Sequence, residues 1–170
     1  MAAPTKGTDL LELVRKSGLL DQPKIDGYVT NLQQEGSVDE DPAKLASRMV
    51  KDGLITVFQA RQMLRGRYRG FFLGKYKVLE PIGSGGMADV YLCEHITMKH
   101  KVAIKILPIE KLKDPSLLGR FKREAQAIAA LNHPNVVRAF DLDNEGNLHY
   151  LVTEYVDGCN LQDFIKKNGP

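Results

Sequence analysis

Tryptophan is absent from this 170-residue sequence, cysteine occurs only twice, and no apolar run approaches the length of a membrane-spanning helix. Such a helix needs about 20 consecutive apolar residues. Cys93 and Cys159 lie far apart and outside any His/Cys cluster with metal-ligand spacing, so the sequence predicts buried or half-buried free thiols and no metal site. Residues 1–7 lack the features of a secretion signal. These absences predict a cytoplasmic protein with no membrane segment, and they leave open an anchor beyond Pro170.

An excess of one charge is also missing, because 24 basic residues stand against 21 acidic ones and the net charge is +3. This balance does not indicate nucleic acid as the main partner. Basic and aromatic residues do alternate between Arg61 and Lys77, a composition found in proteins that bind single-stranded nucleic acid. We favour the simpler interpretation, in which a helix end is followed by a linker whose aromatic side chains dock on the next domain. We therefore expect no nucleic-acid partner.

Residues 8–66 have the pattern of four short helices. Four polar residues mark the predicted helix starts: Asp9, Asp21, Asp41 and Thr56. The last of these begins a capping box that ends at Gln59. Gly18 and Gly53 are each followed by two apolar residues and a polar cap, which predicts two related helix-turn-helix units packed on each other. The segment has no histidine or cysteine, so we expect a small helical domain that binds a protein partner.

From Tyr76 onward the spacing of apolar residues changes from that of helices to that of strands. Five segments are predicted as strands, namely 76–80, 89–93, 101–107, 136–142 and 148–156. A helix is predicted over 116–131, and residues 143–147 are predicted as a turn between the last two strands. The sequence therefore predicts an α+β fold in which a five-stranded antiparallel sheet carries one inserted helix.

A glycine-rich turn, a lysine and a glutamate carry the strongest functional signal: residues 83–86, Lys105 and Glu124. Glycines let backbone N–H groups approach phosphate oxygens, and a lysine on a nearby strand adds positive charge. Glu124 lies on the apolar stripe of its helix, so its carboxylate faces the domain. Because an unpaired buried carboxylate is unfavourable, we expect it to pair with Lys105 and not with Arg120.

These motifs, taken in order, resemble the small lobe of the eukaryotic-like Ser/Thr protein kinases, most closely their bacterial branch. The glycine-rich turn is followed by Val90, by residues 102–105, by the helix that carries Glu124, and by residues 133–137. The glycine turn alone is weak evidence, whereas the ordered set is specific. The resemblance covers residues 76–170.

The resemblance implies a site for ATP, which we expect this chain to bind weakly or not at all without the large lobe that closes the other side of the nucleotide. The nucleotide-binding positions that it implies are Ile82, Gly83, Ser84, Gly85, Gly86, Val90, Ala103, Lys105, Thr153, Glu154, Val156 and Asn160. Val90 and Ala103 would enclose the adenine, and Lys105 would contact the α and β phosphates while paired with Glu124. In this family the two members of that ion pair belong to the catalytic machinery.

The hinge positions follow from the same resemblance. A backbone carbonyl at Glu154 and a backbone N–H at Val156 would meet the adenine edge, and Thr153 would take the gatekeeper position. Asn160 would meet the ribose, or it would cap the final helix, and the sequence leaves both roles open. Ala88 stands where the family's loop pattern has its third glycine.

The base and the magnesium ligands of protein kinases come from the large lobe. This sequence contains no His-Arg-Asp, Asp-Phe-Gly or Ala-Pro-Glu motif. We therefore expect the amino-terminal piece of a Ser/Thr kinase that acts on protein substrates, inactive by itself, with Mg²⁺ bound only by the complete enzyme. The alternative is a non-catalytic scaffold with a helical docking domain and a vestigial nucleotide site.

The sequence predicts five parts of the chain: a flexible terminus (1–7), the helical domain (8–66), a linker (67–75), the small lobe (76–156), and the hinge exit with a first large-lobe helix (157–170).

Overall fold

The structure is a computed structural model of the chain, and it describes residues 2–34, 36, 41–85, 88–108 and 115–169. Within these residues, four helices precede a six-stranded sheet that carries one inserted helix and is followed by another. The helices are α1 (Gly7–Ser17), α2 (Gln22–Gln34), α3 (Pro42–Lys51), α4 (Val57–Leu64), α5 (Pro115–Ala129) and α6 (Leu161–Asn168). The strands are β1 (Phe72–Leu73), β2 (Tyr76–Ser84), β3 (Asp89–His95), β4 (Lys101–Leu107), β5 (Ala139–Glu145) and β6 (Leu148–Glu154).

Polar caps begin two of the leading helices in different ways. Thr56 Oγ1 accepts from the Gln59 N–H (3.2 Å), and Gln59 Oε1 accepts from the Thr56 N–H (2.9 Å), which forms the expected capping box of α4. The sequence pattern predicts that α1 starts at Asp9, but the helix begins two residues earlier, at Gly7. Asp9 instead reaches back from the first turn, and its Oδ2 accepts from the backbone N–H groups of Thr5 (2.9 Å) and Lys6 (3.0 Å).

The four leading helices form one apolar core, in which α1 packs against α3 and α4. The largest fully buried side chains of this core are Leu10, Ile25, Leu32, Leu45, Met49, Met63 and Phe71. Gly18 (φ +69°) and Gly53 (φ +70°) both adopt the left-handed conformation after α1 and α3. Because only glycine adopts that conformation without strain, both helices end at these residues.

The segment that follows α4 differs from the linker that was expected. Residues 72–73 form β1, which pairs with the start of β2 and adds a sixth strand to the sheet. Two residues are too few to show alternation, so no local pattern predicts this strand. The aromatic side chains were expected to dock on the next domain, yet Phe71 is buried in the core of the preceding helices. Leu73, two residues later, is buried in the core of the sheet, so this segment joins the two cores.

All neighbouring strands are antiparallel, in the order β1-β2-β3-β4-β6-β5. Strand β6 returns between β4 and β5, and α5 lies in the connection between β4 and β5. The α+β class and the sheet with its inserted helix are therefore confirmed, with β1 added. No described helix is long and apolar enough to cross a membrane.

The end of α5 and the start of β5 were predicted inaccurately. Helix α5 ends at Ala129, and Leu131, expected on its apolar stripe, is 53% exposed. Strand β5 begins at Ala139 and not at residue 136, because the Val136 N–H donates to the His133 carbonyl (3.0 Å) and closes a turn there. Strand β5 also continues to Glu145, so the turn before β6 contains two residues and not the five expected over 143–147.

The two faces of the sheet bury different side chains. One face packs against Phe58 of α4 and is formed by Leu73, Tyr76, Val78, Cys93, Val102, Ile104, Tyr150 and Val152. The opposite face packs against α5, where Leu107 and Leu151 contact Phe121 and Ala125. Alternation along β4 and β6 thus separates a face that is covered by the leading helices from a face that is covered by α5.

The two cysteines should differ sharply in reactivity. Cys93 is fully buried in the sheet, and this burial raises the pKa of its thiol to about 12. Cys159 was also expected to be at least half-buried, but it is exposed in the segment between β6 and α6. Because the thiolate is the reactive form, we expect iodoacetamide to alkylate Cys159 alone in the folded chain at mildly alkaline pH. Mass spectrometry of digested protein gives the site, and alkylation in urea is the control that should modify both. Equal labelling of the two thiols in the folded chain would contradict the buried position of Cys93.

Candidate functional site

The candidate site lies on the sheet face that carries α5. Lys105 and Ala103 project from this face of β4, since they alternate with residues of the other face. Val90 of β3 pairs with Lys105, and Thr153 and Leu151 of β6 pair with Ala103 and Lys105 respectively. The register of three strands therefore brings the predicted adenine, phosphate and gatekeeper positions onto one surface.

An ion pair joins β4 to α5 at this surface. Lys105 Nζ donates a hydrogen bond to Glu124 Oε1, with side-chain exposures of 25% for the lysine and 38% for the glutamate. Arg120, the other cation considered for Glu124, donates instead to Ser116 Oγ (3.3 Å) one turn earlier. The structure thus brings together the lysine and glutamate that the sequence placed in one site, while their role in binding nucleotide stays a prediction.

Apolar packing of α5 sets the position of Glu124. Phe121 and Ala125 are buried against Leu107 and Leu151, which lie on β4 and β6 beside Lys105. Residues three and four positions apart lie on one side of a helix, so the side chain at 124 emerges next to this packed stripe. Loss of this apolar contact would therefore also move the carboxylate away from the lysine.

The glycine-rich turn connects β2 and β3. Gly83 pairs with Val90, which itself pairs with Lys105, so the start of the turn lies two strands away from the lysine. The Gly85 N–H donates to the Ala88 carbonyl (3.0 Å) and narrows the turn. Gly86, another predicted phosphate-binding residue, lies outside the described residues.

Sequence reasoning missed one polar contact of this turn. Ser84 Oγ donates to Asp89 Oδ1 (2.7 Å), which links the last residue of β2 to the first residue of β3. This hydrogen bond holds the serine side chain between the two strands at the base of the turn. The signal was present in the sequence, because a serine lies between the glycines and an aspartate follows them, but neither has a spacing that distinguishes it from an ordinary turn residue.

The hinge positions lie where β6 ends. Thr153 Oγ1 is 3.3 Å from the carbonyl oxygens of Ala103 and Glu154, so its hydroxyl bridges β4 and the hinge. The Glu154 N–H donates to the Arg138 carbonyl (2.9 Å). The Val156 side chain is exposed, and so is that of Ile82 near the end of β2. Both apolar side chains are accessible to a ligand, Val156 just after β6 and Ile82 near the end of β2.

Asn160 occupies the N-cap of α6. Its Oδ1 accepts from the Asp163 N–H (2.8 Å), and its Nδ2 donates to Asp163 Oδ2 (2.7 Å). The structure therefore shows the capping role, and a contact with ribose stays a prediction. Metal ligands were not expected in this chain, and the described part of the chain contains no group of three His, Cys, Asp or Glu side chains that could hold an ion.

Comparison with known proteins gives a consistent result. A family model for the protein kinase domain matches residues 76–170. The chain is 47% identical over 97 residues to the serine/threonine-protein kinase PrkC of Bacillus subtilis, which covers 57% of this chain and 15% of that protein. It is 42% identical over 100 residues to PknB of Mycobacterium leprae (56% and 16%) and 44% identical over 92 residues to pkn2 of Myxococcus xanthus (54% and 11%). The chain spans only 11–16% of the length of these curated relatives.

Proposed function

This chain belongs to the protein kinase family, and we propose that its residues 76–169 are the ATP-binding part of a bacterial Ser/Thr protein kinase. The proposal depends mainly on one observation, the hydrogen-bonded contact between Lys105 Nζ and Glu124 Oε1. The glycine-rich hairpin lies two strands from this contact. Opposite charges on a strand and a helix, close to a glycine-rich turn whose backbone N–H groups a ligand can approach, form a site suited to a polyphosphate.

Each part of the site would act on a different part of ATP. Lys105 would offset negative charge on the α and β phosphates, while Glu124 holds its ammonium group in one direction. The glycine-rich hairpin would cover the phosphates with its backbone N–H groups. In the Mg-ATP complex, Mg²⁺ would add positive charge beside the phosphates.

Apolar side chains would hold the adenine ring. Val90 and Ala103 lie on the face that carries Lys105, and the side chains of Ile82 and Val156 are exposed. The Glu154 carbonyl and the Val156 N–H would supply the polar contacts at the hinge. The Thr153 side chain is short, so it would leave space behind the ring.

Transfer of the γ-phosphoryl group to a protein hydroxyl requires a base and metal ligands that the family holds in its large lobe. The 170-residue sequence contains none of those motifs, so we propose that this chain binds nucleotide without transferring phosphate. A protein that joins it to a large lobe would phosphorylate serine or threonine of protein substrates, as the names of the relatives indicate. We place this reaction in the cytoplasm, where ATP is available.

Nuclear magnetic resonance on the ¹⁵N-labelled 170-residue chain tests the proposal. Millimolar Mg-ATP is expected to shift the amide signals of the hairpin, of β4 near Lys105 and of the hinge near Glu154. The binding should be weak, because no large lobe closes the other side of the nucleotide. Lys105→Met should abolish the shifts near the hairpin, since it removes the charge that contacts phosphate.

Two controls make this test specific. Lys51→Met removes an exposed lysine from the end of α3 and should leave the titration unchanged. Adenosine without phosphates should shift the hinge signals only. Shifts scattered over the surface, or shifts equally strong in the Lys105→Met variant, would overturn the assignment of an ATP site.

A further inference from the structure

The start of helix α4 is hydrogen-bonded to β2, the strand that ends at the glycine-rich turn. Gln59 Nε2 donates to the Val78 carbonyl (2.7 Å), and Thr56 Oγ1 donates to the Leu79 carbonyl (2.6 Å). Gln59 is 2% exposed, so it is a buried polar side chain with both ends of its amide in use. These contacts join residues 19 and 23 positions apart in the chain.

The point of attachment is an irregularity in β2. The register between β2 and β3 shifts between Val78 and Glu80, so within these two described strands Leu79 has no partner residue on β3. A bulge of this kind bends a strand and increases its twist. It also leaves backbone groups outside the ladder, and buried carbonyls without donors are unfavourable. Thr56 and Gln59 supply donors at this place.

Both side chains serve two elements at once. Thr56 and Gln59 form the capping box that begins α4, and the same two side chains donate to β2. Phe58, between them, lies against Tyr91 of β3 with ring centroids 6.1 Å apart. Three residues at the start of α4 thus contact both strands of the hairpin that ends in the glycine-rich turn.

We propose that Thr56 and Gln59 are positioning residues for the nucleotide, which act by fixing the bend in β2 and hence the direction of the glycine-rich turn. This inference builds on the proposed ATP site. Residues 80–84 extend from the bulge to the turn, and a second register shift lies between Pro81 and Gly83. A strand with two irregularities has fewer ladder constraints, so donors that fix the first bend also limit where the turn lies. The leading helices would then set the affinity of the site from the opposite face of the sheet.

Two substitutions separate the positioning role from the capping role. Gln59→Glu, when its carboxyl is ionised, keeps an acceptor for the Thr56 N–H but removes the donor to Val78. It also buries a charge, so its loss of stability is compared with that of Met49→Ala. Thr56→Asp keeps an N-cap acceptor for the Gln59 N–H but removes the donor to Leu79. Both variants are therefore expected to retain α4, which circular dichroism checks. Thr56→Ser keeps the hydroxyl and should behave as the original chain.

The main readouts are amide hydrogen exchange and Mg-ATP titration, both on the 170-residue chain. We expect faster exchange at Gly85 and along residues 80–84 in Gln59→Glu and Thr56→Asp, and roughly tenfold weaker nucleotide binding, equivalent to about 1.4 kcal/mol. Met49→Ala is the control for general destabilisation, because Met49 is buried in the helical core. It should lower the Tm without changing exchange in the turn.

The outcomes distinguish this inference from the proposed function. If the unaltered chain shows no ATP-dependent shifts at the turn, the proposed function fails, and the exchange data still decide whether α4 positions the turn. If Gln59→Glu and Thr56→Asp leave both exchange and affinity as they were, the positioning role is wrong. It is also wrong if Met49→Ala changes the turn as strongly as they do.

Discussion

Phe71→Ala is expected to reduce the free energy of unfolding by about 3–5 kcal/mol, the usual cost of truncating a buried phenylalanine. Phe71 is 2% exposed and packs in the core of the four leading helices. Its carbonyl accepts from the Val78 N–H (2.8 Å), so the residue that fills the helical core also pairs with the sheet. The substitution would leave a cavity at the junction of the two cores.

The neighbouring Phe72 is the matched control. It is the same residue type, belongs to the same short segment and is 37% exposed. Because Phe72 buries less surface, Phe72→Ala should cost at most about half as much. Urea unfolding followed by circular dichroism gives both values. Equal losses for the two substitutions would mean that Phe71 does not hold the helices to the sheet.

The shape of the same unfolding curve is informative. If Phe71, Thr56 and Gln59 join the helices to the sheet as the structure shows, the unaltered chain should unfold in one transition. In Phe71→Ala, the helices should separate from the sheet and unfold first, so the loss of stability is taken from the transition of the helices. The far-ultraviolet signal of helix would then be lost at lower urea than the protection of amides in β4.

Local rules predicted the features that depend on residues close in sequence. The capping box of α4 was visible because Thr56 and Gln59 are three positions apart, and the helix ends at Gly18 and Gly53 were visible because glycine alone favours the left-handed conformation. The direction of Glu124 toward Lys105 followed from helical periodicity in the same way, although its side chain is 38% exposed. In each case the cause and the effect lie within one or two turns of a helix.

Features that depend on distant residues could not be predicted in this way. No local pattern shows that the side chain of Gln59 donates to Val78, or that Phe71 turns back to the preceding helices. The two-residue strand β1 exists because β2 pairs with it, and its own sequence is too short to favour a strand. Such contacts are selected by the packing of the whole chain, which a window of neighbouring residues does not contain.

Exchanging the charges of the ion pair should separate its contribution to stability from its contribution to nucleotide binding. Lys105→Glu alone, or Glu124→Lys alone, places like charges together and should cost about 1 kcal/mol of stability, because both side chains are partly exposed. The double variant restores opposite charges between β4 and α5. Its stability in urea should therefore return close to that of the original chain.

Nucleotide binding should not return with it. The double variant places a carboxylate on β4, where an ammonium group would contact phosphate. Binding should therefore be roughly ten- to hundredfold weaker, because losing a charge-assisted hydrogen bond costs about 1.5–3 kcal/mol. The Mg-ATP titration of the 170-residue chain measures this loss.

Lys75 and Asp141 form a matched control, since they are an exposed pair with Nζ and Oδ2 3.5 Å apart. Exchanging their charges should leave the titration unchanged. If the exchanged 105/124 pair bound Mg-ATP as well as the original chain, Lys105 would act only as a structural partner of Glu124 and the phosphate contact would have to come from other residues.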